Sequence, residues 1–319
     1  MRFVKLIAKL VAGIVAIAIV LVGGYAAANW APDRPVDELK ARWAQPPSTF
    51  VRVAGMDVHI RDEGPRDDPS PIVLLHGTSA SLHTWEGWSR ALTQKRRVIR
   101  FDLPGFGLTG PTPDGNYSIQ NDVRFVIAML DALGVRHCVL AGNSLGGSIA
   151  WMTALSAPER VDRLILVDAG GYPQRSTSVP IGFRIARSPP FNRLAEVILP
   201  RSMIESSIRN VYGHPEKVTP ELVDLFYDMA VREGNRRALA QRMTQTPVLS
   251  EVKRLGELKL PTLILWGGRD RLRPIESARW FQRDIRDSQL VIFDDLGHVP
   301  HEEDPERTVA AVTQFLSRD

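Results

Sequence analysis

The sequence predicts an α/β fold in which a mostly parallel sheet is sandwiched between helices, and three observations lead there. Runs that are apolar throughout, such as Pro71-Ile72-Val73-Leu74-Leu75 and Leu164-Ile165-Leu166-Val167, recur along the chain. Continuous apolar runs are what strands covered on both faces look like. Between them lie stretches whose apolar residues fall at helical spacing, and that alternation is the mark of parallel strands joined by helical crossovers. Several runs also end in turns carrying polar, reactive residues, and parallel sheets bind ligands at the carboxyl ends of their strands.

The chain has 319 residues, 44% of them hydrophobic, enough for one large domain or two small ones. A net charge of +4 with no long basic block argues against a nucleic-acid partner. The single cysteine, Cys138, excludes an internal disulfide framework and reads as a small core residue. No Cys-x-x-Cys or His-Glu-x-x-His spacing suggests a metal, and no phosphate loop suggests a nucleotide, so no cofactor is expected.

At the N-terminus, Arg2, Lys5 and Lys9 lead into an uncharged apolar stretch over residues 10–28. A helix needs about 20 such residues to cross a bilayer, and a signal-peptide core is shorter. The favoured reading is an uncleaved signal anchor over residues 1–30, with Trp30 as an interfacial aromatic. A cleaved signal is the alternative, because Ala26-Ala27-Ala28 offers a cleavage site and Gly23-Gly24 is expected to break the helix. The basic flank places the N-terminus in the cytoplasm and the rest outside, which is periplasmic in a bacterium. Residues 31–49, with Pro32, Pro35, Pro46 and Pro47 among charges, read as a spacer.

From residue 50 the elements follow in order. Residues 50–60 alternate around Gly55 as a hairpin with one buried face. The strand over 71–75 ends in His76-Gly77-Thr78-Ser79, and residues 85–92 read as a short helix. The strand over 97–101 ends in Asp102-Leu103-Pro104-Gly105-Phe106-Gly107. Residues 118–133 place Val123, Ile127, Leu130 and Leu133 on one helical face, with Gly134 as the stop. The strand opening at Cys138 meets Gly142-Asn143-Ser144-Leu145-Gly146, after which apolar residues continue at helical spacing. A strand over 163–167 ends in Asp168-Ala169-Gly170-Gly171. After a long interruption, strands over 261–266 and 289–293 end in Gly267-Gly268-Arg269-Asp270 and Asp294-Asp295-Leu296-Gly297-His298. Helices are expected from about Pro274 and from Pro305.

Gly-x-Ser-x-Gly between a strand and a helix is the nucleophile elbow. The sharp turn strains the serine backbone and lifts its hydroxyl clear of the sheet. The glycines stand where a Cβ would meet a neighbouring element, and the first helix amides point toward the hydroxyl.

With these motifs in this order, residues 50–319, apart from the segment near 172–250, resemble the α/β-hydrolase superfamily. The likeness rests on His76-Gly77, the 102–107 motif, the elbow, Gly268-Arg269-Asp270 and Gly297-His298-Val299-Pro300-His301-Glu302. It implies an α/β-hydrolase fold with a helical cap inserted at about 172–250. It also implies a triad of Ser144 as nucleophile, His298 as base and then acid, and Asp270 as the group orienting the imidazole. The oxyanion hole would be the N–H groups of Leu145 and Thr78. His301 competes with His298, but the resemblance makes the first histidine catalytic and the second structural. Asp168 competes with Asp270, since some relatives carry their acid there; the glycine turn and spacing favour Asp270. His59, His83, His137 and His214 match no motif and read as core or solvated residues.

A serine nucleophile excludes the dehalogenase and epoxide-hydrolase chemistries of this fold, which need a carboxylate at that position. It implies acyl transfer, and the expected function is a serine hydrolase of carboxylic esters, acylglycerols among them, with a small-molecule ester as partner. Alternatives are a carbon–carbon hydrolase of ring-cleavage products and a non-catalytic binding protein on the same scaffold. The first half of the cap is apolar, with Ile181, Phe183, Ile185, Phe191, Leu194, Val197, Ile198, Leu199, Met203 and Ile204. Six arginines from Arg175 to Arg209 stand against Glu196 and Glu205. An apolar acyl pocket with an arginine rim resting on anionic lipid is the sharper expectation, and a helical cap with a solvated basic face the plainer one.

Overall fold

A computed structural model describes residues 2–173, 176–189, 191–245 and 250–317. It opens with a long helix, α1 (Arg2–Ala28), followed by α2 (Val36–Trp43), β1 (Thr49–Val53), β2 (Met56–Glu63) and β3 (Ile72–Leu75). Next come α3 (Glu86–Leu92), β4 (Val98–Phe101), α4 (Ile119–Ala132), β5 (Cys138–Asn143), α5 (Leu145–Ser156) and β6 (Val161–Val167). The insertion carries α6 (Ile181–Ala186), α7 (Phe191–Leu194), α8 (Arg201–Val211), α9 (Pro220–Val231) and α10 (Asn235–Gln245). The chain then returns to the sheet with β7 (Thr262–Gly267), α11 (Glu276–Asp284), β8 (Ser288–Phe293), α12 (Pro300–Glu303) and α13 (Pro305–Leu316).

The eight strands form one sheet in the order β1-β2-β4-β3-β5-β6-β7-β8. β1 and β2 form the expected antiparallel hairpin and β2 lies antiparallel to β4, while every later pairing is parallel. β3, β4, β5 and β7 are buried at every position; β3 is apolar throughout, and Arg100 of β4 is buried in ion pairs with Glu63 and Glu86. One face of the sheet packs on α4, α5 and α11 through Val73, Phe101, Leu140, Trp151 and Phe281. The other packs on α3 and α13 through Ile72, Trp88, Ile165, Val312 and Phe315. Burial of this apolar surface is the main stabilising term.

Two N-terminal expectations change. α1 does not break at Gly23-Gly24 but runs on to Ala28, and Lys5–Ala28 is long and apolar enough to cross a membrane. Residues 31–49 are not a spacer. They fold onto the insertion: Leu39 of α2 is buried with Leu225 and Met229 of α9. Asp228 of α9 accepts hydrogen bonds from Trp43 Nε1 (2.8 Å), Arg34 (3.1 Å) and Arg42 (3.3 Å).

The end of α1 is joined to the insertion by main-chain bonds. Ala31 N donates to Val197 O (2.9 Å) and Leu199 N to Asn29 O (3.0 Å). Arg34 N donates to Val231 O (2.7 Å) and Glu233 N to Arg34 O (2.9 Å). Isolated β-bridges pair Trp30 with Ile198 and Arg34 with Arg232.

Candidate active site

Ser144 sits between β5 and α5 with φ 54° and ψ −110°, a backbone conformation that a side-chain-bearing residue adopts only when its surroundings enforce it. The elbow glycines supply that enforcement. A Cβ on Gly142 would lie 2.2 Å from Gly146 O, and one on Gly146 would lie 2.2 Å from Leu75 O at the end of β3. Leu145 opens α5, so its N–H has no helical carbonyl four residues before it and can meet a ligand.

The turn after β3 presses on the same serine. A Cβ at Gly77 would stand 2.7 Å from Asn143 Oδ1 and 3.3 Å from Ser144 Cβ. Thr78 follows it and lines the cavity above Ser144. His76 braces this turn from beneath. Its Nε2 accepts Leu103 N–H (2.9 Å), so its proton is on Nδ1, which donates to Gly77 O (2.7 Å). Full burial pushes its pKa down and keeps it neutral.

His298 follows β8, and its Nδ1 lies 2.6 Å from Asp270 Oδ2. The other Asp270 oxygen accepts Leu272 N (2.7 Å) and Arg273 N (2.9 Å). The three residues expected to act together, Ser144, Asp270 and His298, thus converge at the ends of β5, β7 and β8, and Ser144 and His298 line one cavity. Asp168, the competing acid, ends β6 beside them; its ligand-type atoms lie within 4.8 Å of those of Asp270 and His298. As a metal donor set this trio is poor, because Asp270 is already filled by N–H donors and His298 Nδ1 is bound to it.

Sequence reasoning did not find the residues that hold the histidine loop. Asn143 Nδ2 donates to His298 O (3.0 Å) and Val167 O (3.2 Å). His298 N donates to Val211 O at the end of α8 (2.7 Å). Glu303 accepts Gly297 N (2.7 Å), Gly213 N (2.9 Å) and His214 N (3.0 Å), tying the loop to the cap. The buried pair His59 and Asp102 (2.8 Å) was also missed. Burial alone would raise Asp102, but the His59 ring holds it well below the usual carboxylate range, and it also accepts Leu82 N and Leu108 N. This pair fixes the 102–107 turn that floors the site. His301 is packed on Trp85, with ring centroids 4.1 Å apart, and burial lowers its pKa to about 3. It is a core residue.

The cavity holds about 1350 Å³ of empty space, counting its open mouth. Its cap side is apolar, with Phe183, Leu199, Met203, Ile208, Phe226 and Met229. The apolar first half of the cap therefore divides: Phe183, Ile185, Leu199, Met203 and Ile204 face inward, whereas Ile181, Phe191 and Leu194 are 38%, 61% and 52% exposed. The arginines divide too. Arg201 pairs with Asp224 (2.6 Å) and Arg209 with Glu205 (2.9 Å). Arg184, Arg187 and Arg193 are exposed and make no ion pair among the described residues; Arg175 lies outside them. Glu302 lines the cavity, accepts the Thr84 hydroxyl (2.6 Å), and is pushed up to about 7 by burial.

Residues 70–305 match the family described as the alpha/beta hydrolase fold. The chain belongs to the α/β-hydrolase fold family. This hydrolase is 29% identical over 280 residues to a 2-hydroxymuconate semialdehyde hydrolase of Pseudomonas putida, covering 84% of this chain and 93% of that protein. It is 27% identical to an uncharacterized hydrolase, YugF, of Bacillus subtilis, over 77% of this chain and 89% of that one. Among solved structures, it superposes on a meta-cleavage product hydrolase of Pseudomonas fluorescens with TM-score 0.73 and 27% identity, over 84% of this chain and 97% of the other. A bacterial membrane phospholipase A shares the fold over 99% of this chain and 97% of its own, with TM-score 0.72 and 24% identity.

Proposed function

We propose that this hydrolase cleaves carboxylic esters of apolar acyl chains drawn from a membrane, through an acyl-enzyme on Ser144. His298 takes the serine proton as the hydroxyl attacks the acyl carbon, then returns it to the leaving alcohol. Asp270 holds the ring in the tautomer with its proton on Nδ1 and stabilises the imidazolium. Leu145 N–H and Thr78 N–H stabilise the tetrahedral oxyanion. Water then attacks the acyl-enzyme by the same route in reverse.

The observation that carries this reading is the apolar cap cavity over Ser144, joined through residues 195–199 to the end of α1. With α1 as an uncleaved anchor, the bridge between Trp30 and Ile198 would hold Phe191, Leu194 and Arg193, which makes no ion pair among the described residues, near the bilayer surface. Exposed apolar side chains among unpaired arginines suit an anionic lipid interface. The basic flank at Arg2, Lys5 and Lys9 supports a catalytic domain on the extracytoplasmic side. N-terminal sequencing of membrane-extracted protein that began near Asn29 would overturn the anchor.

The second reading is carbon–carbon hydrolysis, supported by the relatives named above for that chemistry. Its substrates carry a carboxylate, which calls for a free cation in the pocket. Besides His298, the basic side chain lining the cavity among the described residues is Arg236. Its guanidinium is paired with Asp33 (2.6 Å) and donates to Ala195 O, which favours the ester.

The test has two steps. A fluorophosphonate probe should label wild type and not Ser144→Ala. Hydrolysis of p-nitrophenyl esters should rise from acetyl to medium and longer acyl chains. A preference for acetyl, or faster turnover of a ring-cleavage dienol, would sink the acyl-ester reading.

A further inference from the structure

The carboxyl of Asp168 has no assigned work, yet the fold goes to some length to hold it. It ends β6 with φ 44°, in the left-handed region, which an aspartate tolerates better than most residues. Its side chain is fully buried. Oδ1 accepts Gly267 N (3.0 Å), the last amide of β7. Oδ2 is buried without any donor among the described residues, and the carboxyl stands against that of Asp270 in the cluster that includes His298.

An ionised carboxylate in that setting would leave a buried oxygen unsatisfied opposite a second anion. Two carboxyls facing each other in a sealed space hold one proton between them. Asp270 accepts three N–H donors and Asp168 only one, so the charge belongs on Asp270 and the proton on Asp168. Burial, and the Asp270 carboxylate beside it, push the Asp168 carboxyl well above its ordinary range. Among the other charged groups, Glu303 disfavours a charge on Asp168, Arg273 favours one on Asp270, and His298, bound to Asp270, favours it whenever the ring is protonated.

We propose that Asp168 is a positioning residue, a neutral carboxylic acid whose Oδ2–H donates to the Asp270 carboxylate and holds it on His298. Asp168 is not among the residues that line the cavity over Ser144. It acts by fixing the orientation of Asp270 and by moderating how strongly that carboxylate stabilises the imidazolium. The proposal rests on the Ser144–His298–Asp270 reading of the site.

Three variants test it. Asp168→Ala should lower kcat roughly 10- to 100-fold with KM little changed, the worth of one hydrogen bond to a charged group. With one donor fewer, Asp270 becomes more basic, and the acidic limb of kcat/KM should move to higher pH by about half a unit. Asp168→Asn keeps an acceptor for Gly267 N and a donor for Asp270, and should restore most of the lost rate and the original limb. If Asp168→Ala does not accumulate, Asp168→Ser takes its place. An asparagine variant as damaged as the alanine variant would mean that Asp168 acts as an anion, and would overturn the proposal. So would an alanine variant whose pH profile is unmoved. Fluorophosphonate labelling of Ser144 in wild type and its loss in Asp270→Asn are measured alongside. Failure of those controls would indict the triad rather than Asp168.

Discussion

The side-chain amide of Asn143 spans 3.0 Å to the main-chain carbonyl of His298, so the residue before the elbow serine holds the loop of the histidine. This bond sets how far the imidazole stands from the turn that carries Ser144. Asn143→Asp keeps the shape and removes the donor. It breaks the bonds to both His298 O and Val167 O and sets a carboxylate oxygen against those carbonyls, so kcat is expected to fall by roughly tenfold or more with KM near wild type. Steady-state kinetics on a p-nitrophenyl ester reads the split; a change confined to KM would contradict it.

Asp270→Asn should cost far more. An asparagine can hold the imidazole in the wrong tautomer, and kcat is expected to drop by roughly 10⁴. Loss of fluorophosphonate labelling rate should follow in parallel. Activity within tenfold of wild type would return the role of the acid to Asp168.

Leu39→Ala tests the segment before β1. As part of a loose spacer Leu39 would contribute nothing, but it is 1% exposed against α9. Removing a buried leucine side chain costs roughly 2–5 kcal/mol. Thermal or urea unfolding should show that loss, and an unchanged midpoint would restore the spacer.

Glu302→Gln should reveal a pH-dependent cost. The Glu302 carboxyl is raised to about 7 by burial, so between its ordinary value and about 7 the folded chain holds a proton that the unfolded chain has released. Stability from this group is present at acid pH and is lost as pH rises through about 7. The glutamine variant should therefore gain on wild type between pH 5 and pH 8, by an amount on the order of 1–3 kcal/mol. Parallel stability curves for the two proteins over that range would refute it.

The parts of the fold that were legible in sequence were those set by local patterns. β3, β5 and β7 announce themselves because both of their faces are covered and their central residues form apolar runs. The turns that follow them are read from glycines that a Cβ would jam against the next element, as at Gly142 and Gly146. Illegible parts depend on partners far along the chain. α2 is short, is flanked by prolines and is half charged; Leu39 is buried only because α9 arrives nearly two hundred residues later. Phe191 and Phe183 look alike in sequence, and only the packing of the cap turns one outward and the other into the cavity. Glu303 and Asn143 act through main-chain groups, which carry no residue-specific signal at all. Asp168 was visible as a carboxylate at a strand end. What could not be read was that it stands against Asp270 rather than in its place.

The four main-chain bonds between residues 29–34 and the cap change the frame of reference for substrate entry. In a hydrolase tethered through its sheet domain, the cap is the hinged part and the body stays put. With α1 retained as the anchor proposed above, the tether enters through the cap. While those bonds hold, the cap of such an anchored chain is stationary with respect to the bilayer, and any widening of the cleft swings the sheet, with its serine and histidine, toward or away from the membrane.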